Sequence, residues 1–240
     1  MNALKNLLIH LEVEDNSKKL EQFHAYRDEI LAWNEKVNLT AITDLEEFEK
    51  KHFIDSILPV ESLEFQHSDR IIDIGTGAGF PGVPLAILYP KKEFLLVDSL
   101  NKRLKIIDEI TDKLGIYNVK TIHGRAEELA RRKEFRESFD LCVSRAVANL
   151  ATLSEYCLPF VRPGGTFIAY KGNSVGEEVE AAKRAISLLG GKLDRIEEIS
   201  KKGKKWEMDF DHTLLFIKKD KKTSKTYPRK AGVPAKTPIK

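Results

Sequence analysis

The most informative stretch of this chain is one glycine-rich loop: Asp73-Ile74-Gly75-Thr76-Gly77-Ala78-Gly79-Phe80-Pro81-Gly82. It lies between a short apolar run and a segment of helical character, the context of a loop that binds a nucleotide-like cofactor. Its glycines allow the backbone to turn tightly and to approach a ligand closely. Asp98 ends the next apolar run, 23 residues after Gly75, where a carboxylate can accept both ribose hydroxyls of an adenosine. Loop and acid together predict an adenosine-type cofactor site that includes Gly75, Gly77, Gly79 and Asp98.

From residue 70 onward, short apolar runs alternate with segments of helical periodicity. The runs, predicted as strands, are Ile71–Ile74, Phe94–Val97, Val119–Ile122, Phe139–Val143 and Thr166–Tyr170. The predicted helices between them lie near Pro81–Tyr89, Asn101–Leu114, Asn149–Leu158 and Val175–Leu189. Continuous apolar strands separated by helices indicate βαβ units and a buried parallel sheet.

The alternation stops after Gly190-Gly191. Lys192–Ile199 and Thr213–Lys218 are joined by a polar, lysine-rich stretch without a helical pattern, so we expect them to pair antiparallel. A parallel α/β sheet that finishes with such a hairpin is typical of the methyltransferases that use S-adenosylmethionine. The sequence therefore predicts an α/β fold of the Rossmann-like class I methyltransferase type, with a mostly parallel seven-stranded sheet, a terminal antiparallel hairpin and an N-terminal helical extension.

Residues 1–69 carry a helical pattern. Apolar side chains recur there at the spacing of one helix face: Leu20, Phe23, Tyr26, Ile30, Trp33 and Val37. Asp44 followed by Glu47 has the spacing of a capping box that opens a second helix, and we expect Pro59 to end the helical region. The chain accordingly divides into an N-terminal helical extension (1–69), a methyltransferase domain (70–218) and a basic C-terminal tail (219–240).

Composition excludes several classes of protein. Hydrophobic residues make up 42% of the 240 residues, but no apolar run approaches the roughly 18 residues of a membrane-spanning helix. The amino-terminal stretch has no small-residue cleavage site, so we expect no secretion signal. Cys142 and Cys157 lie in apolar contexts with no Cys-x-x-Cys pattern and no nearby histidine. We therefore expect packing roles for both, a reducing cytoplasm and no metal site.

The net charge of +3 conceals an uneven distribution. Residues 218–240 contain nine lysines and arginines and one aspartate, a net of +8, which leaves −5 for the rest of the chain. A basic tail on an acidic body is typical of a protein that meets a polyanion, although a solvated, disordered terminus has the same composition. Tyr227 and the prolines of this segment suggest an extended arm that neutralises phosphates and stacks on a base. Lysines between residues 201 and 205 are expected to extend the same surface.

The end of the fourth strand, Ser144-Arg145-Ala146, bears on the chemistry because this strand end faces the transferred methyl group in such a fold. Enzymes that methylate exocyclic amines carry Asp/Asn-Pro-Pro-aromatic there, and cytosine-C5 enzymes need an exposed cysteine. The Lys-Asp-Lys-Glu set of ribose 2′-O enzymes does not assemble at the predicted strand ends. An acceptor that needs no base remains, such as guanine N7, for which alignment and electrostatics suffice. The exclusions permit this acceptor and do not single it out.

Motifs along nearly the whole chain resemble those of one family, the bacterial 16S ribosomal RNA guanine-N7 methyltransferases RsmG, also called GidB. They are Trp33-Asn34, Asn38 to Ile42, His52 to Ser56, Gly75 to Gly82, Leu96 to Ser99 with Lys102-Arg103, Ser144 to Ala146, Lys171-Gly172, His212 and Tyr227 to Gly232. The resemblance implies that S-adenosylmethionine is the cofactor, contacted by Gly75, Phe80, Ala126, Glu127 and Arg145, with Asp98 on its ribose. It also implies a guanine of 16S rRNA, in a loop near the decoding site, as the substrate. Lys51 departs from the arginine of many relatives.

Several candidate side chains have both a functional and a structural interpretation. Arg145 is predicted to meet the methionine end of the cofactor or an RNA phosphate, with a surface ion pair as the alternative. Lys171 is predicted to contact an RNA phosphate or base edge. His52 and Asp55, three residues apart on one helix face, are predicted to line the acceptor side, although structural roles fit all three. Arg229 and Lys230 are predicted to contact RNA.

Other functions stay compatible with these patterns. A methyltransferase for a small molecule or a protein would not need the basic tail. An RNA-binding module would form no product, and a nicotinamide oxidoreductase would use the same glycine loop for a dinucleotide. The preferred interpretation is a monomeric methyltransferase whose partner is 16S rRNA or a small ribosomal subunit particle.

Overall fold

A seven-stranded sheet lies at the centre of the fold, with the strand order β3-β2-β1-β4-β5-β7-β6. A computed structural model describes residues 3–172, 175–199 and 212–240. The strands are β1 (Arg70–Ile74), β2 (Glu93–Asp98), β3 (Val119–His123), β4 (Phe139–Arg145), β5 (Val161–Gly172), β6 (Gly191–Glu198) and β7 (His212–Lys219). The first five run parallel, and β7 is antiparallel to both of its neighbours. The predicted fold class is confirmed.

Helices connect the parallel strands as the apolar pattern predicted. The helices of this part are α6 (Gly82–Leu88), α7 (Asn101–Lys113), α8 (Ala126–Leu129), α9 (Leu150–Cys157) and α10 (Gly176–Leu188). Side chains of a strand alternate between its two faces. Ile71 of β1 therefore packs in a core shared with the N-terminal helices, whereas Ile72 packs in a core shared with α9 and α10.

The predicted terminal hairpin is also confirmed. β6 and β7 pair antiparallel, with Leu193 opposite Ile217, and β7 lies between β5 and β6. The polar stretch that joins them, including the lysines expected at the RNA surface, lies outside the described residues.

The N-terminal extension packs on one face of the sheet. It contains α1 (Ala3–His10), α2 (Asn16–Asn34), α3 (Leu45–Phe48), a π-helical turn (Glu49–Ile54), α4 (Asp55–Ile57), a 3-10 turn (Leu58–Glu61) and α5 (Leu63–Gln66). Phe23, Tyr26 and Ile30 of α2 are fully buried, as their spacing predicted, and each such side chain stabilises the fold by about 1.5–3 kcal/mol.

The start of α3 was predicted correctly and the end of the helical region was not. Asp44 accepts a hydrogen bond from the backbone N–H of Glu47 at 2.9 Å, the first half of a capping box. Pro59, expected to end the region, lies in the first turn of the 3-10 segment, and α5 follows it. Proline is tolerated in a first turn because its missing N–H has no partner there.

The C-terminal tail is not the extended arm that its composition suggested. Its backbone carbonyls at Thr223 and Tyr227 accept hydrogen bonds from Arg136 at 2.8 and 3.0 Å, and α11 (Val233–Lys236) lies near its end. Cys142 and Cys157 are both fully buried, which confirms their packing roles. Within the described residues, none of the helices combines the length and apolar character that crossing a bilayer requires.

Candidate active site

The glycine loop is tied to the sheet at both of its ends. The backbone N–H groups of Gly75 and Thr76 donate to the carbonyl of Val97 at 2.8 and 3.1 Å. Asp73, on β1, accepts through Oδ2 from the Thr76 hydroxyl at 2.7 Å and from the Gly82 N–H at 2.9 Å. Burial raises the pKa of Asp73 to about 7, even though both hydrogen bonds act in the opposite direction. This one carboxyl group therefore holds the beginning of the loop to its end.

Asp98 lies beside the loop at the carboxyl end of β2. The Gly77 N–H donates to Asp98 Oδ2 at 2.9 Å, and the Leu100 N–H donates to Oδ1 at 2.8 Å. Gly77 has φ +60°, a conformation that favours glycine. No described atom lies within 4 Å of the position that a Cβ on Gly77 would occupy. The loop and the carboxylate predicted from sequence are thus brought together at the border of open space.

Gly75 and Gly79 leave room for neighbouring side chains. A Cβ on Gly79 would clash with the Tyr26 hydroxyl, which donates to the carbonyl of Ala78 at 2.9 Å. A Cβ on Gly75 would clash with Val147, which follows the end of β4. The N-terminal extension therefore helps to form the loop, a contribution that the motif alone did not reveal.

Phe80 links the loop to His52 of the extension. Their rings are parallel, with centroids 4.4 Å apart and an interplanar angle of 3°. His52 Nε2 lies 2.7 Å from the Thr40 hydroxyl. Burial, with the nearby charge of Arg145 second, lowers the pKa of His52 to about 3. The imidazole is therefore uncharged at neutral pH.

Arg145 reaches from the end of β4 to the extension. Its Nη1 donates to the Asp55 carboxylate and, at 2.8 Å, to the carbonyl of Lys51. Asp55 is fully buried and also bonds His212 Nδ1 at the start of β7. The guanidinium carbon lies 5.6 Å from the centroid of the Phe80 ring. One buried carboxylate therefore joins three segments at the mouth of the site.

A cavity of about 350 Å³ opens beside this ion-pair cluster. It is lined by Lys51, His52, Asp55, Arg145, Ala146, Tyr170, Lys171, Gly172 and His212. Lys171, near the end of β5, donates to the carbonyl of Ala148 at 2.7 Å and pairs with Glu178 at 2.6 Å. The predicted acceptor-side residues His52 and Lys171 thus share one cavity with Arg145.

Ala126 and Glu127 form the first turn of α8, directly after β3. The last residue of β3, His123, is the register partner of Asp98, so α8 begins at the same edge of the sheet. Glu127 is buried, and its Oε1 accepts a hydrogen bond from the N–H of Gly232 at 2.8 Å.

Arg229 and Lys230 differ in their surroundings. Arg229 forms a forked ion pair with Glu155, with Nη2 at 2.7 Å from Oε2 and Nε at 3.0 Å from Oε1. Glu155 is fully buried on α9. The Arg229 charge is therefore neutralised within the chain, and the proposal that it binds phosphate loses its support, whereas Lys230 is exposed.

The contact between Asp55 and His212 was not predicted from the sequence. Both residues lie in the family motifs, and Asp55 was expected beside His52 on the acceptor side, but His212 had no predicted role. No local pattern pairs them, because only the fold brings α4 to the start of β7. Among the residues that the structure describes, no group of three or more histidine, cysteine, aspartate or glutamate side chains is arranged to hold a metal ion.

Comparison with known proteins assigns the chain to a family. The family model for rRNA small subunit methyltransferase G, GidB, matches residues 19–207. The chain belongs to this GidB family. A ribosomal RNA small subunit methyltransferase G from Clostridium novyi is 52% identical over 96% of this chain and 93% of its own length. The protein of the same name from Clostridium perfringens strain 13 is 51% identical over 100% of this chain and 98% of its own length.

Solved structures support the fold of this GidB-family chain. A putative methyltransferase complexed with the Haloferax volcanii Trm112 activator covers 80% of the chain and 97% of the solved chain, with a TM-score of 0.56 and 15% identity. An O-methyltransferase from Bacillus cereus, solved in complex with SAH, covers 81% of this chain and 90% of its own, with a TM-score of 0.53 and 19% identity. At these identities the likeness concerns the fold.

Proposed function

We propose that this chain transfers a methyl group from S-adenosylmethionine to N7 of a guanine in 16S rRNA, in a loop near the decoding site. One observation carries the proposal: the Gly77 N–H donates to Asp98 at the same edge of the sheet as the cavity beside Arg145, which supports an adenosine site next to an acceptor site. Relatives named for the small ribosomal subunit, 51% and 52% identical, support the acceptor class.

The residues at this edge fit the cofactor. The open space beside Gly77 leaves room for a ligand against the backbone, and Asp98 offers carboxylate oxygens at its border. The residues that would hold it are Gly75, Gly77, Gly79 and Phe80 in the loop, Asp98 at the ribose, Ala126 and Glu127 at the adenine, and Arg145 at the methionine end. When bound, S-adenosylmethionine supplies an electrophilic methyl group on a sulfonium.

On the acceptor side, the chain's residues position the base and need not deprotonate it. Guanine N7 carries a lone pair that is unprotonated at neutral pH, so alignment for an in-line displacement is the main requirement. Asp55 neutralises Arg145, and the low pKa of His52 keeps that ring uncharged. Neither group therefore adds much repulsion toward a guanine that becomes cationic on N7 methylation. We assign His52 and Lys171 to the contact with this nucleotide.

Each segment has a part in this proposal. The extension (1–69) supplies one wall of the acceptor cavity, and the domain (70–218) holds the cofactor. The tail (219–240) offers exposed lysines, Lys230 among them, to RNA phosphates. The partner is 16S rRNA or a small-subunit particle, which the chain meets as a monomer in the cytoplasm.

The test is incubation of the full chain with methyl-labelled S-adenosylmethionine and small-subunit particles that lack the modification, followed by mapping of the labelled nucleotide. We expect the label on N7 of a single guanine of 16S rRNA. Label on a cytosine, a ribose or a protein would overturn the assignment. Naked 16S rRNA assayed in parallel distinguishes the two forms of the substrate.

A further inference from the structure

The C-terminal tail contacts the residue assigned to the adenine. The N–H of Gly232 donates to Glu127 Oε1 at 2.8 Å. In the described part of the chain, Gly232 is the only hydrogen-bond donor to this buried carboxylate, which leaves Oε2 without a protein donor. One oxygen of Glu127 is thus held by the tail and the other remains available to a ligand.

The segment that carries Gly232 is anchored on both sides. Arg229 precedes it and forms the forked ion pair with the fully buried Glu155 of α9. Pro234 follows it, and its carbonyl accepts a hydrogen bond from the buried Thr152 hydroxyl of the same helix at 3.0 Å. Forked arginine–carboxylate pairs fix geometry as well as contributing energy, so the Gly232 N–H is held in place toward α8.

We propose that residues 229–234, which we call the latch, position the Glu127 carboxylate for the adenine of the cofactor, so that cofactor affinity and base selectivity depend on the tail. The inference rests on the proposed function, because it takes Glu127 as an adenine contact. A carboxylate fixed before binding loses less conformational freedom when the ligand arrives, which raises affinity. An ionised carboxylate only accepts hydrogen bonds, so it favours the 6-amino group of adenine over a 6-carbonyl.

The latch also explains why this part of the basic tail is folded. Arg229 serves an internal ion pair, while the exposed Lys225 and Lys230 on either side of it keep their charges at the surface. Residues 225–234 therefore combine two roles. The Arg229–Glu155 pair orders the backbone, and Lys225 and Lys230 remain available to a polyanion.

The experiment measures binding of S-adenosylhomocysteine and of S-inosylhomocysteine, which carries a 6-carbonyl, to four proteins. These are the unmodified chain, a chain that ends at Lys230, full-length Glu155→Gln, and the control Lys236→Ala with Lys240→Ala at two exposed positions. Removal of the Gly232 donor is expected to weaken S-adenosylhomocysteine binding about tenfold and to bring the ratio of the two dissociation constants toward one. Glu155→Gln should change both quantities in the same direction, and the control should match the unmodified chain.

The ratio of the two dissociation constants distinguishes loss of Glu127 positioning from a general loosening of the fold. General loosening would weaken the binding of both ligands alike. If the shortened chain does not fold, Glu155→Gln decides the matter. A preference for adenine that survives in Glu155→Gln and in a folded shortened chain would overturn the latch and leave the proposed function intact. The same holds if the unmodified chain binds both ligands equally. If the unmodified chain does not bind S-adenosylhomocysteine, the proposed function itself fails.

Discussion

His52 lies flat against Phe80, with 4.4 Å between the ring centroids and 3° between the ring planes. This stack joins the π-helical turn of the N-terminal extension to the glycine loop of the domain. π-helical turns are rare in proteins, and those that do occur are often found at functional sites. The extension therefore contributes side chains to the cavity that we propose for the acceptor.

The first prediction concerns the charge of His52. The pKa of His52 is lowered from 6.5 to about 3. The contribution of the uncharged ring to folding stability is therefore fully present above pH 6.5 and is lost as pH falls toward 3. We expect the ring signals of His52 in NMR spectra to show no titration between pH 5 and pH 8. A His52 midpoint between pH 6 and 7 would show that the ring becomes charged in the site.

The second prediction concerns the ion pair of Arg145 with the fully buried Asp55. Arg145→Met leaves this carboxylate with His212 as its remaining partner among the described residues and is expected to lower the free energy of unfolding by about 3 kcal/mol. Arg162→Met is the matched control, because it breaks a pair with Asp140 whose arginine side chain is 49% exposed and should cost less than about 1 kcal/mol. Chemical denaturation measures both values, and equal losses would contradict the account.

The third prediction concerns Asp73, whose pKa is raised to about 7. A raised pKa in the folded state means that its stabilising contribution is complete below the unfolded value and is lost as pH rises through 7. Between pH 4 and pH 7, the unmodified chain should therefore lose stability relative to Asp73→Asn, by up to about 1.4 kcal/mol per pH unit. Asp112→Asn, at an exposed position of α7, is the control. A difference between Asp73→Asn and the unmodified chain that does not change with pH would refute the assignment.

The fourth prediction concerns the exposed tail lysines. Lys225→Gln with Lys230→Gln should weaken binding of the small-subunit substrate and reduce the slope of log affinity against log salt by about 0.7 for each RNA phosphate that the tail no longer neutralises. Cofactor affinity should stay unchanged, because the Arg229–Glu155 ion pair and the hydrogen bond from the Gly232 N–H to Glu127 do not involve either lysine side chain. Lys105→Gln with Lys113→Gln, at exposed positions on α7, removes the same charge as a control. If both pairs have the same effect on the slope, the tail is not the RNA surface.

The geometry of the glycine loop and Asp98, which we assign to the cofactor, could be predicted from sequence because its determinants are local. The glycine loop and the aspartate that ends the next strand lie within one βαβ unit, and strand pairing then brings Asp98 to Gly77. The terminal hairpin was also predictable, since the helical pattern stops where the sheet changes direction.

The acceptor side and the tail could not be predicted in the same way. Asp55 and His212 are 157 positions apart in the chain, and no local spacing relates them. Composition counts the charge of Arg229 but does not reveal whether a buried glutamate neutralises it, as Glu155 does. The tail therefore resembled a free arm in sequence, although it is packed against the domain.

Whether the glycine loop and Asp98 bind an adenosine cofactor is tested by calorimetric titration of the unmodified chain and of Asp98→Ala with S-adenosylhomocysteine and, separately, with NAD. We expect the unmodified chain to bind one S-adenosylhomocysteine and no NAD. Asp98→Ala should bind S-adenosylhomocysteine at least about tenfold more weakly, because the ribose hydroxyls lose a charged acceptor. Binding of NAD to the unmodified chain, or an Asp98→Ala affinity equal to that of the unmodified chain, would contradict this assignment.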